Sequence, residues 1–414
     1  MYRFLGELVS VDEAIEKAVN MLGGLELGVV EESVWSACGH VLAEDIIAGF
    51  DHPEYDRSAV DGYAVIAEDT YGASPLNPVR LRVVGILRPG DTPNKHSIGH
   101  GEAVEVSTGA PLPRGANAVV MAEDTSRDGE YVDIYRQVAP YANVSRRGED
   151  YTKGEVLVSK NTLLRPWHLG IIASTGVDKV KVYEKIRIAI FTTGDEVVEP
   201  GYRRVAGKLY NSTGVLVKNY LEEIPFAKPL YYGVYPDKKS ILENVLLRLI
   251  EDHHVVVVTG GAGISGQDVI QDVVEKHGTW VFRGVAMRPG RPTSLALVDN
   301  KPVFLLSGFP VAAWTGLEAL VTPILYRLMG LNPPVKPTIR AVLTRRTPNV
   351  IGYRSYIRVR VWRENGNYYA EPYMLRGSGV LSSLVKTNGY LVIPEDNEGF
   401  EKGDEVDIVL HTLS

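Results

Sequence analysis

Three short turns in this 414-residue chain combine residue types that suit an anionic ligand. They are Thr193-Gly194-Asp195-Glu196, Gly260-Gly261-Ala262-Gly263 (with Ser265 beyond it) and Ser307-Gly308, and each follows an apolar run. Glycine there lets backbone amides approach a phosphate-like group closely. Carboxylates stand beside the turns: Glu196 ends the first, Asp268 follows the second, and Asp237 lies in the connection between them. Several carboxylates next to an anion repel it unless a divalent cation bridges the two, as Mg2+ does with carboxylate and phosphate oxygens. Asp268 has a second reading, as a helix N-cap completed by Gln271 three residues on. In Met287-Arg288-Pro289-Gly290-Arg291-Pro292 the prolines fix φ and stiffen the presentation of two guanidinium forks. Arg288 and Arg291, preceded by Arg283, are expected to reach the edge that carries the glycine turns. No His/Cys cluster has the spacing of a transition-metal site. Ser212 and Ser307 lack an evident base for a nucleophilic triad.

The turns need a scaffold, and the apolar runs before them supply one. Val255–Val258 is four β-branched residues without polar alternation, the pattern of a strand buried on both faces. Ile186–Phe191 and Val303–Leu306 repeat it, with a helical pattern running on to Leu328. Between the first two runs lie helical patterns over Gly214–Glu222 and Ile241–Ile250, the second with a Ser240/Glu243 capping box; a further helix begins at Val269. Strands alternating with helices predict a doubly wound, mostly parallel α/β domain over 183–331. Its ligands bind where the strands' carboxyl ends share one edge.

The remaining chain is long enough for about three or four domains in all. Ser10 and Glu13 form a capping box that opens a helix through about Met21. Residues 51–144 are rich in Gly and Pro with short β runs, and Asp61-Gly62 reads as a tight hairpin turn. The charge run from Ser145 to Asp150 reads as a solvated loop. Segments 1–50 and 145–182 are expected to pack together as one discontinuous domain, making 51–144 an insertion. Prolines within 332–337 mark a linker, and 338–414 reads as a small β domain with strands at Tyr356–Trp362, Asn367–Glu371 and Tyr390–Ile393. A net charge of −7 argues against nucleic acid as the main partner. One cysteine, Cys38, excludes an intrachain disulfide framework and suits a reducing cytoplasm. The first residues lack a signal-peptide core, and no apolar run approaches the roughly 18 residues of a membrane span. A cytoplasmic protein is expected.

SAVDGYA, STGAPLPRGANAVVMAED, RRGEDYTKG, TTGDEVVEPG, TGGAGISGQD, MRPGRP and SGFPVAA occur in the order and spacing of the molybdopterin molybdenumtransferases. The chain resembles that MoeA family, which includes the gephyrin E domain, over essentially its whole length. The resemblance implies an elongated four-domain homodimer that inserts molybdate into adenylylated molybdopterin, requires Mg2+ and releases AMP. It implies that the functional acids are Asp61, Asp150, Glu196, Asp237 and Asp268, with Glu196, Asp237 and Asp268 on the metal. Arg288, Arg291 and Arg358 would bind substrate together with Thr193, Gly194, Gly260, Gly261, Gly263, Ser265, Ser307 and Gly308. Molybdopterin adenylyltransferase and apo-molybdoenzymes are further partners it suggests. The sequence also departs from the pattern. Arg-Pro-Gly-Arg-Pro replaces Lys-Pro-Gly-Lys-Pro, Phe309 stands where the family has Asn, and TGGAGIS is similar to the adenylyltransferase loop. Tungstate as the oxyanion, an adenylyltransferase activity and a non-catalytic molybdopterin carrier are the alternatives.

Overall fold

Six strands form the sheet on which the glycine turns are mounted, in a computed structural model that describes residues 8–203, 205–261, 269–373 and 377–411. Their order is Ala227–Tyr235, Ile186–Thr193, Val255–Thr259, Lys301–Leu306, Ser294–Val298 and Gly278–Arg283. The first four are parallel, Ser294–Val298 pairs antiparallel with Lys301–Leu306, and Gly278–Arg283 pairs antiparallel with Ser294–Val298. Side chains alternate between faces with the strand period of two. Ile188, Ile190, Val255, Val257 and Phe304 enter one core; Ala189, Phe191, Val256, Val258 and Leu305 enter the other. Helices Ser212–Glu222 and Pro310–Gly316 with its continuation cover the first face, and Lys239–Asp252 with Val269–His277 the second. The sheet is therefore doubly wound, as the alternation of apolar runs predicts.

Local capping differs in one place. Helix Lys239–Asp252 begins before Ser240 and has no side-chain cap at Lys238. Glu243 turns instead to Lys276 and His277, tying two helices of one face together. The Ser10 cap does form: Ser10 Oγ accepts from the Glu13 amide at 3.1 Å, while the Glu13 carboxylate pairs with Lys17. The helix it opens, Val11–Leu22, buries Val11, Ala14 and Ala18 in the α/β core beside Ile186 and Leu325. Residues 11–22 thus pack on the α/β unit, because their small apolar stripe meets the Thr322–Leu328 helix.

Strands within residues 29–47 and 156–183 pair with each other. Val29–Ser33 and Val41–Leu42 both pair with Lys179–Tyr183, and Ile46–Ile47 pairs with Val156–Val158. Between them a six-stranded sheet runs in the order Ala118–Met121, Gly62–Val65, Glu102–Val106, Val79–Leu87, Tyr131–Ile134 and Thr125–Asp128. Gly62 lies within a strand of this sheet rather than in a hairpin turn. A Cβ there would sit 1.9 Å from the Val120 carbonyl, so close strand approach requires the glycine.

Beyond the prolines, strands Thr338–Leu343, Arg354–Glu364, Asn367–Pro372, Gly389–Ile393 and Glu405–Leu410 close into a small barrel through the pairing of 354–364 with 389–393. Met287–Arg288, from the arginine loop, pairs in parallel with Arg354 and Ser355. Among the described residues no helix is long and apolar enough to cross a membrane.

Where helix, linker and barrel meet, one carboxylate holds them. Glu318 is paired with Lys336 of the linker and accepts from Tyr220 of the 212–222 helix and from Tyr390 of the barrel. Burial acts to raise this carboxyl, but the Lys336 ammonium and the two hydroxyls outweigh it and hold it below its ordinary 4.5. A depressed carboxylate contributes stability above its unfolded value and loses it as pH falls through the folded one. Lys336→Met leaves the buried charge unpaired. The loss at pH 7 should lie at the lower end of the roughly 3–5 kcal/mol typical of broken buried pairs, because Lys336 is 34% exposed. Thermal melts should show a wide gap from the parent protein at pH 7 that narrows as pH falls below 4.5.

Candidate functional site

The carboxyl ends of the parallel strands open into a cleft of about 570 Å3. Thr192, Thr193, Thr259, Gly260, Gly261, Ser307, Gly308 and Glu196 all line it, so the three turns do converge. Their closeness follows from backbone fit. Gly260 has φ 92°, and a Cβ on it would lie 2.2 Å from the Thr193 carbonyl. Gly308 packs on Gly260, a Cβ there coming to 3.4 Å from the Gly260 Cα. A hydrogen-bonded chain stiffens the floor: Thr259 Oγ1 and Thr192 Oγ1 lie 2.8 Å apart, Thr192 Oγ1 donates to Asn211 Oδ1, and Asn211 Nδ2 donates to the Tyr231 hydroxyl. Tyr231 in turn donates to Glu199 at 2.7 Å; burial and that carboxylate push its pKa up, so it remains a donor. Thr213 Oγ1 fixes the Gly308 carbonyl at 2.7 Å.

Asp237 stands behind this surface. It accepts from Thr193 Oγ1, and its amide donates to Asp195 at 3.2 Å. Glu196 Oε2 would lie 3.1 Å from a Cβ on Gly194, whose φ is 150°. Glu196 lines the cleft and Asp237 is tied to its Thr193, so the side chains available to an ion here are oxygen donors, the type Mg2+ takes. Among the described residues no group of three His, Cys, Asp or Glu is gathered for a metal. Asp268, Gly263 and Ser265 lie outside the described residues.

The arginines do not join this cleft. Arg288 lines a neighbouring one of about 680 Å3 together with Arg358, Asn349, Ser355 and Ser378. The reason is the strand Met287–Arg288, which leaves its own sheet to pair with the barrel. Arg288 stacks over Tyr353 at 4.2 Å, and Arg358 is buried with its Nε donating to Ser383. Burial lowers the Arg358 pKa, though a guanidinium stays charged. Arg291 lines neither cleft; its carbonyl closes the turn by accepting from the Val285 amide. Arg283 braces the glycine turn indirectly, donating to Gln271, whose amide reaches the Gly261 carbonyl. The segment 377–381 is the wall between the clefts, with Gly377 and Ser378 on one side and Gly379 and Leu381 on the other.

Asp61 and Asp150 lie apart from both clefts, each next to or lining a pocket that Thr108 also lines. Asp150 lines a pocket of about 490 Å3 with His52, Arg57, Ser58 and Thr108. Asp61 accepts from the Thr108 amide at 2.7 Å and from its hydroxyl at 3.2 Å. The sequence reading missed Asn211, Thr213 and Thr259 in the first cleft and Arg57 in this pocket. Asn211 was visible as an N-cap before Ser212-Thr213-Gly214; the others carry no signal apart from the fold.

A chain built around a doubly wound domain with anion-type turns, a β-rich insertion and a terminal barrel matches three family models in succession. They are the MoeA N-terminal region (domain I and II) over residues 9–176, a probable molybdopterin binding domain over 189–327, and the MoeA C-terminal region (domain IV) over 340–411. A putative molybdopterin biosynthesis protein of Methanocaldococcus jannaschii is 36% identical over 390 residues, covering 92% of each chain. A molybdopterin molybdenumtransferase of Staphylococcus aureus is 30% identical over 406 residues, covering 97% of this chain and 95% of that one. The crystal structure of the MoeA protein from Pyrococcus horikoshii superposes with a TM-score of 0.82 at 34% identity, covering 98% of this chain and 100% of the other. The chain belongs to the MoeA family.

The two glycines that meet at the cleft should respond differently to alanine. Gly260→Ala collides with the Thr193 carbonyl and requires a strained φ, costing about 1–3 kcal/mol. Gly308→Ala meets only ordinary contact and should melt near the parent temperature. Differential scanning calorimetry of both variants checks the contrast.

Proposed function

We propose that this protein is a molybdopterin molybdenumtransferase, which inserts molybdate or tungstate into adenylylated molybdopterin and releases AMP. The observation that carries the proposal is the pairing of two clefts across one wall: hydroxyls and glycine amides line the first, guanidinium groups the second. Gly260, Gly261, Ser307 and Gly308 bind the phosphate groups through backbone amides and hydroxyls. Thr193, held by Asp237, keeps its hydroxyl oriented beside them. Arg288 and Arg358 attract the tetrahedral oxyanion from the neighbouring cleft, Arg288 with its fork pre-aimed by Tyr353. Arg291 supports the loop that carries Arg288.

Glu196 and Asp237 would hold Mg2+, with Asp268 in third place by sequence, and the bound ion would neutralise charge on the phosphoanhydride. The chain's own contribution is positioning: the hydrogen-bonded floor from Thr259 to Glu199 fixes the turns before substrate arrives. Asp150 lines a pocket with Thr108, whose amide donates to Asp61, which supports a role for both acids in orienting the oxyanion or a water, supplied across a homodimer. Dimerisation is supported by large apolar side chains left in water, among them Trp35 in the turn after Val29–Ser33 at 95% exposure and Trp167 in the helix Pro166–Ser174 at 69%. Molybdopterin adenylyltransferase and apo-molybdoenzymes are the partners that such a reaction requires before and after it. Its place is the cytoplasm.

Incubation with adenylylated molybdopterin, Mg2+ and molybdate or tungstate should release AMP, and EDTA should stop it. Glu196→Gln and Asp237→Asn should keep binding the adenylate while AMP release falls about 10³-fold. Consumption of ATP without a preformed adenylate would indicate adenylyltransferase chemistry, and tight binding with no turnover a carrier. For assembly, Trp35→Glu combined with Trp167→Glu should convert a dimer to a monomer in multi-angle light scattering; an unchanged mass would refute that surface.

A further inference from the structure

Beside its hydroxyls and amides, the α/β cleft is lined by apolar side chains, chiefly Leu209, Tyr210, Phe309 and Leu381. Leu209, Tyr210 and Phe309 are 61, 43 and 60% exposed. A single exposed apolar side chain is ordinary, but three lining one cleft are not. Phosphate binding at the glycine turns makes no use of them.

This apolar lining is held in place. Leu209–Tyr210 pairs with Val197–Val198, and the Tyr210 hydroxyl donates to the Tyr202 carbonyl at 2.9 Å. The Phe309 amide donates to Ser307 Oγ at 3.2 Å. Its ring lies against Gly379, where an added Cβ would come within 3.1 Å of Cδ1. A fixed ring presents contact area without an ordering cost, and the cleft volume of about 570 Å3 suits a nucleotide-sized ligand.

Resting on the reading of the cleft as a phosphate site for pterin or nucleotide, we infer that Phe309 and Tyr210 form a stacking platform that selects a planar fused-ring heterocycle attached to that phosphate. Adenine and pterin share this chemistry: both offer a flat π face to an aromatic ring and an edge to solvent or backbone. Phe309 then supplies by stacking what an amide side chain at this position would supply by hydrogen bonding.

Calorimetric titration of the intact protein with AMP, ribose 5-phosphate and molybdopterin tests the assignment, since ribose 5-phosphate keeps the phosphate but lacks a ring system. The parent protein should bind AMP or molybdopterin about tenfold more tightly than ribose 5-phosphate, the scale of one aromatic stacking contact. Phe309→Ala should erase that advantage and leave ribose 5-phosphate unchanged, whereas Phe309→Tyr should preserve it. Tyr210→Ala should weaken the same ligand. Loss confined to AMP identifies adenine as the occupant, and loss confined to molybdopterin identifies the pterin. Equal affinities in the parent and Phe309→Ala for both ring ligands overturn the platform while leaving the phosphate site standing. Failure of the parent protein to bind any of the three overturns the reading of the cleft itself.

Discussion

The register between strands Ile186–Thr193 and Val255–Thr259 is the constraint from which the rest of the site follows. Thr192 sits opposite Thr259, and the next residues along, Thr193 and Gly260, meet backbone to backbone. Because strand side chains alternate, a slip of one residue would exchange the two buried faces and bring Ile190 and Val257 into the wrong core. The apolar faces therefore determine where the glycine turn must lie. The hydroxyl pair at the strand ends is a product of the same register. Core packing and ligand geometry are one specification.

Legibility from sequence tracks how local each cause is. The parallel strands were visible because runs such as Val255–Val258 are buried on both faces and carry no competing pattern. The antiparallel strands Gly278–Arg283 and Ser294–Val298 were not, since their side chains mix with the arginine loop and its prolines. The glycine at 260 announced close approach correctly, whereas the one at 308 meets only ordinary contact. Arg288 was legible as a stiffly presented cation, yet its address was not: a two-residue strand pairing with the barrel moves it to the neighbouring cleft. Asp61-Gly62 looked like a turn because the reason for its glycine, the carbonyl of Val120, lies far away in sequence. Asp61 is held by Thr108, which lines the same pocket as Asp150, an arrangement that only tertiary structure reveals.

Charge at the junction of the three C-terminal elements follows a different logic from charge at the clefts. Glu318 is surrounded by donors and a cation, which makes its burial tolerable and fastens helix, linker and barrel together. Glu196 lines an open cleft, where a ligand or ion can still reach it. One acid is consumed by the architecture; the other is left available to it.

The short strand Met287–Arg288 has a consequence for the modularity of this chain. It belongs by sequence to the α/β unit and by hydrogen bonding to the barrel. A cut at the proline linker would leave the backbone edges of Met287–Arg288 and of Arg354–Ser355 unpaired. The barrel is thus no detachable appendix. Recombination that exchanged C-terminal modules between relatives would have to preserve this splice, so the α/β unit and the barrel are bound to be inherited together.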